Sequence, residues 1–193
     1  MVEDVVTDNG FIPYLHIAEN RQRRVKNDQS IRNMPFHPEL IRLGILDYVK
    51  KLKELGHTHL FPDLFSPSSS QPLGNKFYKE FKPILEQNGI TDAGLGAHAV
   101  RHLFGAQQKK KGATVEERAD LLGHGGSSET SERYCEPSEI KALYDLVLKM
   151  PVITANIEAR PINLLPWVGA NEVAPFSRPA RSKSDRKKRS NCD

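Results

Sequence analysis

Apolar residues recur at helical or strand spacing only up to about residue 150, which limits the part of the 193-residue chain that can fold. From Pro151 onward the chain has five prolines, few periodic apolar residues and a basic run near its end. Such a composition buries too little apolar surface to offset the entropy lost on ordering. We therefore expect one folded domain over residues 1–150 and an extended or disordered basic tail over residues 151–193.

The formal net charge of +4 belongs to that tail. Residues 171–193 hold seven Lys or Arg against three Asp or Glu, so residues 1–170 sum to about zero. The two cysteines give no disulfide framework, and no apolar run approaches the length of a membrane span. The composition predicts a soluble protein in a reducing compartment, the cytoplasm, with no membrane partner.

Local sequence patterns predict an α+β fold that is mainly α. Short extended runs between turn-rich segments predict a small three-stranded antiparallel sheet from residues 11–18, 23–26 and 31–36. Helical spacing predicts five helices. The first runs from Pro38 to Gly56, the second covers about 75–88 and is kinked or begun by Pro83, and the third runs through residues 97–104. Thr114 and Glu117 cap the fourth helix, and Ser138 caps the last.

Two of these helices are expected to pack through apolar faces. The first face consists of Phe77, Phe81, Ile84 and Leu85, and the second of Ala97, Val100, Leu103 and Phe104. The second helix also places His98 and Arg101 three residues apart, so the two side chains project from one face toward a common point. A planar guanidinium there can hold two phosphate oxygens at once.

Two further polar residues follow this helix in the chain. His124 ends the run LLGH and offers a hydrogen-bond donor, and Tyr134 in SERY offers a hydroxyl that can act as a nucleophile. Together with His98 and Arg101, they form a set that suits phosphoryl transfer.

This ordered set resembles the tyrosine recombinases, or phage-type integrases, whose catalytic domain contains H-x-x-R, then L-G-H, then a nucleophilic tyrosine. Residues 23–40 also resemble the hairpin of that family, which has a lysine at its turn and a helix that starts after it in a Pro-x-His-Pro-x-Leu run. The resemblance covers roughly residues 1–149. It implies site-specific recombination or integration of DNA by strand cleavage and rejoining through a 3'-phosphotyrosyl intermediate, without a metal or cofactor.

The resemblance assigns a role to each site residue. Tyr134 would attack the scissile phosphate, Arg101 would bind its nonbridging oxygens, and His98 would assist proton movement. His124 would donate to a phosphate oxygen, and Lys26 would protonate the departing 5'-oxygen. The implied partner is duplex DNA, acted on by a homo-multimer in the cytoplasm of a bacterial host that carries a phage or another mobile element.

The family begins its catalytic domain with two helices that carry a first arginine in an R-x-x-E context. Residues 1–17 resemble the segment that follows this motif, so we expect the first arginine to lie outside this chain and the domain to be incomplete at its N-terminus. That expectation predicts impaired cleavage. The alternative is a noncatalytic DNA-binding remnant of an integrase.

Two basic clusters flank the expected site and predict contacts with DNA phosphates. The expected DNA-binding residues are Arg21, Arg23, Arg24, Arg32, Lys109, Lys110 and Lys111. A weaker alternative is a metal-dependent nuclease that uses His98 and His102, which have ligand spacing on a helix. Neither this pair nor His57 and His59 has Cys or carboxylate residues at ligand spacing, so no metal site is expected.

Overall fold

The computed structural model describes residues 1–7, 12–20, 23–25, 27–64, 73–92, 94–123 and 138–162. Over these residues the chain is α+β and mainly helical, with a small three-stranded antiparallel sheet. The predicted fold class is therefore confirmed at this level. The predicted tail from residue 163 onward lies outside the described residues.

The sheet has the order β1-β2-β3, and helices follow it along the chain. The elements are β1 (Val5–Val6), β2 (Tyr14–Ile17), β3 (Arg32–Pro35), α1 (Pro38–Arg42), α2 (Ile45–Glu54), α3 (Leu73–Gln87), α4 (Ala97–Lys110), α5 (Val115–Leu122) and α6 (Ile140–Leu148). Short 3-10 turns lie at Val2–Asp4, Asp28–Ser30 and Pro62–Leu64. In the part of the chain described, none of the helices is both long enough and apolar enough to cross a membrane.

The sheet is built from different segments than predicted. Leu15 of β2 lies opposite Val5 on one side and Met34 on the other. The prediction of a strand at residues 23–26 was wrong for residues 23–25, which are irregular, and Val5–Val6 supply the third strand instead. Val5 is only 4% exposed, so burial of its side chain stabilises this short strand.

Side-chain hydrogen bonds hold the segment around Arg23 out of the sheet. Its backbone N–H donates to the side chain of Asn20 at 2.7 Å, and its Nε donates to the carbonyl of Ala18 at 2.8 Å. Its guanidinium also pairs with Asp4 at 2.7 Å. The backbone is thereby folded back on residues 18–20, which a strand conformation does not allow.

The helix predicted from Pro38 to Gly56 is two helices, α1 and α2. Gly44 lies between them with φ +95°, a conformation that glycine adopts at little cost and that ends regular helical hydrogen bonding. α2 packs on the sheet in a first core, which consists of Val2, Val5, Phe36, Val49 and Leu52.

A second core lies where α5 and α6 pack beside β3. It consists of Ala113, Leu121, Leu143, Leu146 and Val147, with Met34 and Phe104 at its edge. The predicted cap of α6 is wrong, because Glu139 occupies the cap position. Ser138 instead donates from its N–H and its hydroxyl to Asp120 of α5, at 2.9 and 2.6 Å.

The buried face of α4 differs from the predicted one. Val100 is 60% exposed and Leu103 57% exposed, whereas Gly105 and Gln108 are buried. Gly105 lets α5 approach closely, since a Cβ there would lie 3.1 Å from Leu122. Gln108 donates to the carbonyl of Leu146 at 2.9 Å. Close backbone approach and a buried hydrogen bond thus orient α4, and its branched apolar residues face outward.

The apolar face predicted for α3 is also partly exposed. Phe77 is 41% exposed and Ile84 is 55% exposed, although the rings of Phe77 and Phe81 stack with centroids 5.1 Å apart. Pro83 lies inside α3 and does not begin it. The ring contact within one helix replaces part of the packing that the sequence predicted.

The first residues of the predicted tail are anchored to α1. Residues 151–162 contain no helix or strand, but Arg42 donates to the carbonyls of Thr154 and Ile157 at 3.1 and 2.9 Å. The hydroxyl of Thr154 also donates to Glu39 at 2.6 Å. These contacts extend the ordered part of the chain past the predicted boundary at residue 150.

Candidate functional site

The turn that ends α5 is the centre of the candidate site. α5 begins with the predicted capping box, in which Thr114 accepts from the N–H of Glu117 at 3.1 Å and the Glu117 carboxylate accepts from the N–H of Thr114 at 2.8 Å. The helix ends at Gly123, whose left-handed φ of +63° turns the chain sharply. His124 is the next residue in the sequence and lies outside the described residues.

Arg101 reaches this turn from α4. Its Nη2 donates a hydrogen bond to the carbonyl of Leu122, in the last turn of α5. Carbonyls at a helix C-terminus lack intrahelical donors and carry partial negative charge, so a guanidinium is a favourable partner. Among the described residues this is the one hydrogen bond of the Arg101 guanidinium, which carries five N–H donors.

Arg32, the first residue of β3, reaches the same turn from the sheet. A Cβ added to Gly123 would lie 2.6 Å from Nη1 of Arg32, so the guanidinium lies directly against this glycine. The same Nη1 donates to the carbonyl of Ser30 at 2.8 Å. Among the residues that the structure describes, the buried Nε of Arg32 has no hydrogen-bond partner.

The two arginines therefore form a positively charged site at residues 122–123. Burial, followed by repulsion from Arg101 and Arg23, lowers the pKa of Arg32. Among the residues described, no carboxylate forms an ion pair with Arg32 or Arg101. Two guanidiniums at one turn without a carboxylate suit an anion with several oxygens, such as a phosphate.

His98 lies one helical turn before Arg101, on the same face of α4. Its side chain is exposed, and its ring packs edge-on against the ring of His102 with centroids 4.5 Å apart. In the described part of the chain, no three His, Cys, Asp or Glu side chains come together as a metal site needs. The exposed position of His98 leaves it accessible to a bound substrate.

The other basic residues differ in how they are held. Arg23 pairs with Asp4, and it therefore holds the fold together. Burial alone would raise the pKa of Asp4, but hydrogen bonds from the N-terminal amine and Arg23 outweigh burial and lower it. The buried Nη2 of Arg24 has no hydrogen-bond partner among the described residues, and Lys109–Lys111 are exposed where α4 ends. Their contacts with DNA stay a prediction.

Four predicted site residues lie outside the described residues, namely Arg21, Lys26, His124 and Tyr134. The structure thus brings Arg101 and Arg32 together. The sequence predicted only a general contact with DNA for Arg32. No spacing pattern connects these two arginines, because they meet only through the packing of α4 and α5 beside β3. The sole signal in the sequence was the position of Arg32 in a basic hairpin.

Comparison of the chain with models of protein families, with curated proteins and with solved structures found no match. The chemistry of the site therefore rests on its own residues. Those residues are Arg101, Arg32 and His98, together with the turn at Gly123 that precedes His124.

Proposed function

We propose that this chain is the catalytic domain of a tyrosine-type DNA recombinase, which cuts and rejoins duplex DNA through a 3'-phosphotyrosyl intermediate. The observation that carries the proposal is the meeting of Arg101 and Arg32 at the turn that leads into His124. Such an arrangement suits a phosphodiester, whose transition state gains charge on the nonbridging oxygens. Tyr134 is the nucleophile that follows in the sequence.

The proposed reaction exchanges one phosphate ester for another. The hydroxyl oxygen of Tyr134 forms a bond to the scissile phosphorus, and the bond between phosphorus and the 5'-oxygen breaks. The tyrosyl proton leaves with the help of His98, and Lys26 gives a proton to the departing 5'-oxygen. Arg101 and His124 stabilise the charge on the nonbridging oxygens. A 5'-hydroxyl later reverses the exchange, so no metal or nucleotide cofactor is needed.

The described fold is compatible with this proposal. β2 and β3 pair in antiparallel register, and the segment that joins them contains Lys26. Because β3 also carries Arg32 at its start, that segment begins and ends on the same sheet as the arginine site. His98 and Arg101 come from α4, and Lys26, His124 and Tyr134 lie outside the described residues.

The test is covalent capture on a nicked suicide duplex, in which the leaving strand diffuses away and religation stops. Wild-type protein is expected to form a 3'-linked adduct, and Tyr134→Phe is expected to form none. Tyr144→Phe, in α6, is the matched control and should retain the adduct. An adduct with Tyr134→Phe would place the nucleophile elsewhere, and loss of cleavage with a chelator would favour the metal-dependent nuclease.

DNA binding, measured together with adduct formation, distinguishes the recombinase from the noncatalytic remnant. Both should bind duplex DNA with an affinity that falls steeply with salt, since basic side chains displace condensed counterions. Replacing Lys109, Lys110 and Lys111 by alanine should reduce the logarithmic salt slope by up to about 3. Binding without any adduct, under conditions in which the duplex is saturated, would support the remnant. An affinity insensitive to salt would contradict both.

A further inference from the structure

We propose that Arg32 joins Arg101 in holding the nonbridging oxygens of one DNA phosphate, so that the site has two guanidiniums. Its part in cleavage rests on the function proposed above, whereas its binding of phosphate does not. The sequence pattern assigns Arg32 no more than a general contact with DNA. Its position in the folded chain gives it the more specific role.

The guanidinium of Arg32 lies against Gly123. The Cβ position of Gly123 lies 2.6 Å from Nη1, 3.0 Å from Cζ and 3.1 Å from Cδ of Arg32. The guanidinium therefore runs along the backbone of Gly123. Arg101 is hydrogen-bonded to the carbonyl of the preceding residue, Leu122. Two arginines from distant parts of the sequence thus meet at two consecutive residues.

The N–H donors of Arg32 are only partly satisfied by the described residues. A guanidinium carries five N–H donors, and the Nη1 of Arg32 is bonded to the carbonyl of Ser30. Its Nε is buried and finds no partner within the described part of the chain. A buried donor without an acceptor is costly and uncommon in folded proteins. An anionic oxygen bound at this turn would give Nε its missing acceptor.

Arg32 differs from two arginines that form ion pairs within the fold. Arg23 pairs with Asp4 at 2.7 Å, and Arg42 pairs with Glu39 at 2.6 Å. In the part of the chain that the structure describes, Arg32 has no carboxylate partner and faces repulsion from another arginine. Two guanidiniums held near each other without a counter-charge become stable when an anion binds between them.

The binding experiment uses the full chain and inorganic phosphate as the probe. Titration is followed by NMR of the arginine Nε–H groups, with Arg32→Ala and Arg101→Ala as test variants. Phosphate is expected to shift the Arg32 Nε signal, and each test variant should weaken phosphate binding at least about 10-fold, since a charge-assisted bidentate contact is lost. Arg118→Ala removes an arginine from α5 whose Nε bonds to Thr114 at 3.1 Å, and it should bind within about twofold of wild type.

The cleavage experiment uses the suicide duplex, with either a normal or a methylphosphonate linkage at the scissile position. Arg32→Ala should slow adduct formation about 100-fold on the normal linkage, as expected for one lost donor to the transition state. Arg32→Lys keeps the charge but not the planar fork, so it should recover only part of the rate. On methylphosphonate, which lacks one charged oxygen, the defect of Arg32→Ala should shrink to less than about 10-fold.

The outcomes separate the two proposals. Loss of phosphate binding in Arg32→Ala, with no adduct from any variant, would support the two-guanidinium site and contradict the recombinase. Normal phosphate binding and normal cleavage in Arg32→Ala would overturn the role of Arg32 and leave the recombinase standing. Equal defects of Arg32→Ala on both linkages would also overturn it, because a variant that merely folds poorly loses both substrates alike.

Discussion

Replacing Gly123 by alanine should separate the stability of the turn from its function. The substitution has two effects, on the backbone and on Arg32. At φ +63° an L-residue is strained by about 1 kcal/mol, which should lower the melting temperature by about 2–4 °C in a chain of this length. The new Cβ would also lie 2.6 Å from Nη1 of Arg32, and this end of a flexible side chain must move away.

The size of that movement determines the functional loss. Ordinary van der Waals contact begins at 3.4 Å, so Nη1 must withdraw by about 0.8 Å from 2.6 Å. Misplacing a group of the active site by about 1 Å can lower the rate about 100-fold. Gly123→Ala should therefore slow adduct formation on the suicide duplex by about 10- to 100-fold and weaken the binding of inorganic phosphate in the same direction.

Gly112→Ala is the matched control for Gly123→Ala. Gly112 follows α4 with φ +83°, and a Cβ there would meet nothing within 4 Å. Both variants should melt at similarly reduced temperatures, measured by circular dichroism, but only Gly123→Ala should lose phosphate binding and cleavage. Equal cleavage rates for the two variants would refute the reasoning, since they would show that the contact with Arg32 has no functional weight.

Three further predictions concern stability. Leu121 is fully buried in the second core, so Leu121→Ala should lower the free energy of unfolding by about 2–5 kcal/mol in urea denaturation. Asp120→Ala removes both hydrogen bonds from Ser138 and should cost about 2 kcal/mol in the same assay. Hydrogen bonds from Arg42 and then Thr154 lower the pKa of Glu39 from 4.5 to about 2. The resulting stability should be complete above pH 4.5 and lost as the pH falls through about 2, and Glu39→Gln should lack this dependence.

Each of these stability predictions has an outcome that contradicts it. Val115→Ala, at a position 54% exposed on the same helix as Leu121, should change the free energy of unfolding by less than about 0.5 kcal/mol. A loss for Leu121→Ala no greater than that would show that the second core is loosely packed. An unchanged free energy in Asp120→Ala would mean that Ser138 finds other acceptors. If the stability of Glu39→Gln fell with decreasing pH as that of the wild type does, the pair of Glu39 with Arg42 would make no contribution to acid stability.

Local patterns in the sequence were sufficient for several elements. Thr114 and Glu117 form the predicted capping box, because both groups lie within one helical turn and need no partner from elsewhere. The class of fold, the small antiparallel sheet and the helix that carries His98 and Arg101 were predicted from short-range periodicity and are present. Whether Tyr134 acts as a nucleophile stays a prediction.

Features that depend on distant parts of the chain were predicted less well. The predicted buried face of α4 was wrong for Val100 and Leu103, which are exposed, although Phe104 does pack against the second core. Gly105 and Gln108, which the apolar pattern ignores, instead meet α5 and the carbonyl of Leu146. The predicted strand is absent from residues 23–25, where the side chain of Arg23 is turned toward Asp4, and Val5–Val6 supply the third strand instead. Apolar periodicity reports which residues can be buried, and packing selects among them.

The sequence by itself determined the chemical groups of the candidate site and the helix that presents His98 and Arg101 on one face, because a helix repeats every 3.6 residues wherever it lies. Only the tertiary structure decided that Arg32 meets Arg101 at the end of α5. That meeting requires β3, α4 and α5 to pack together, with a glycine at position 123 against which a guanidinium can lie. Side-chain volume and hydrogen-bonding partners at such a junction come from three separate segments, and no local pattern encodes them.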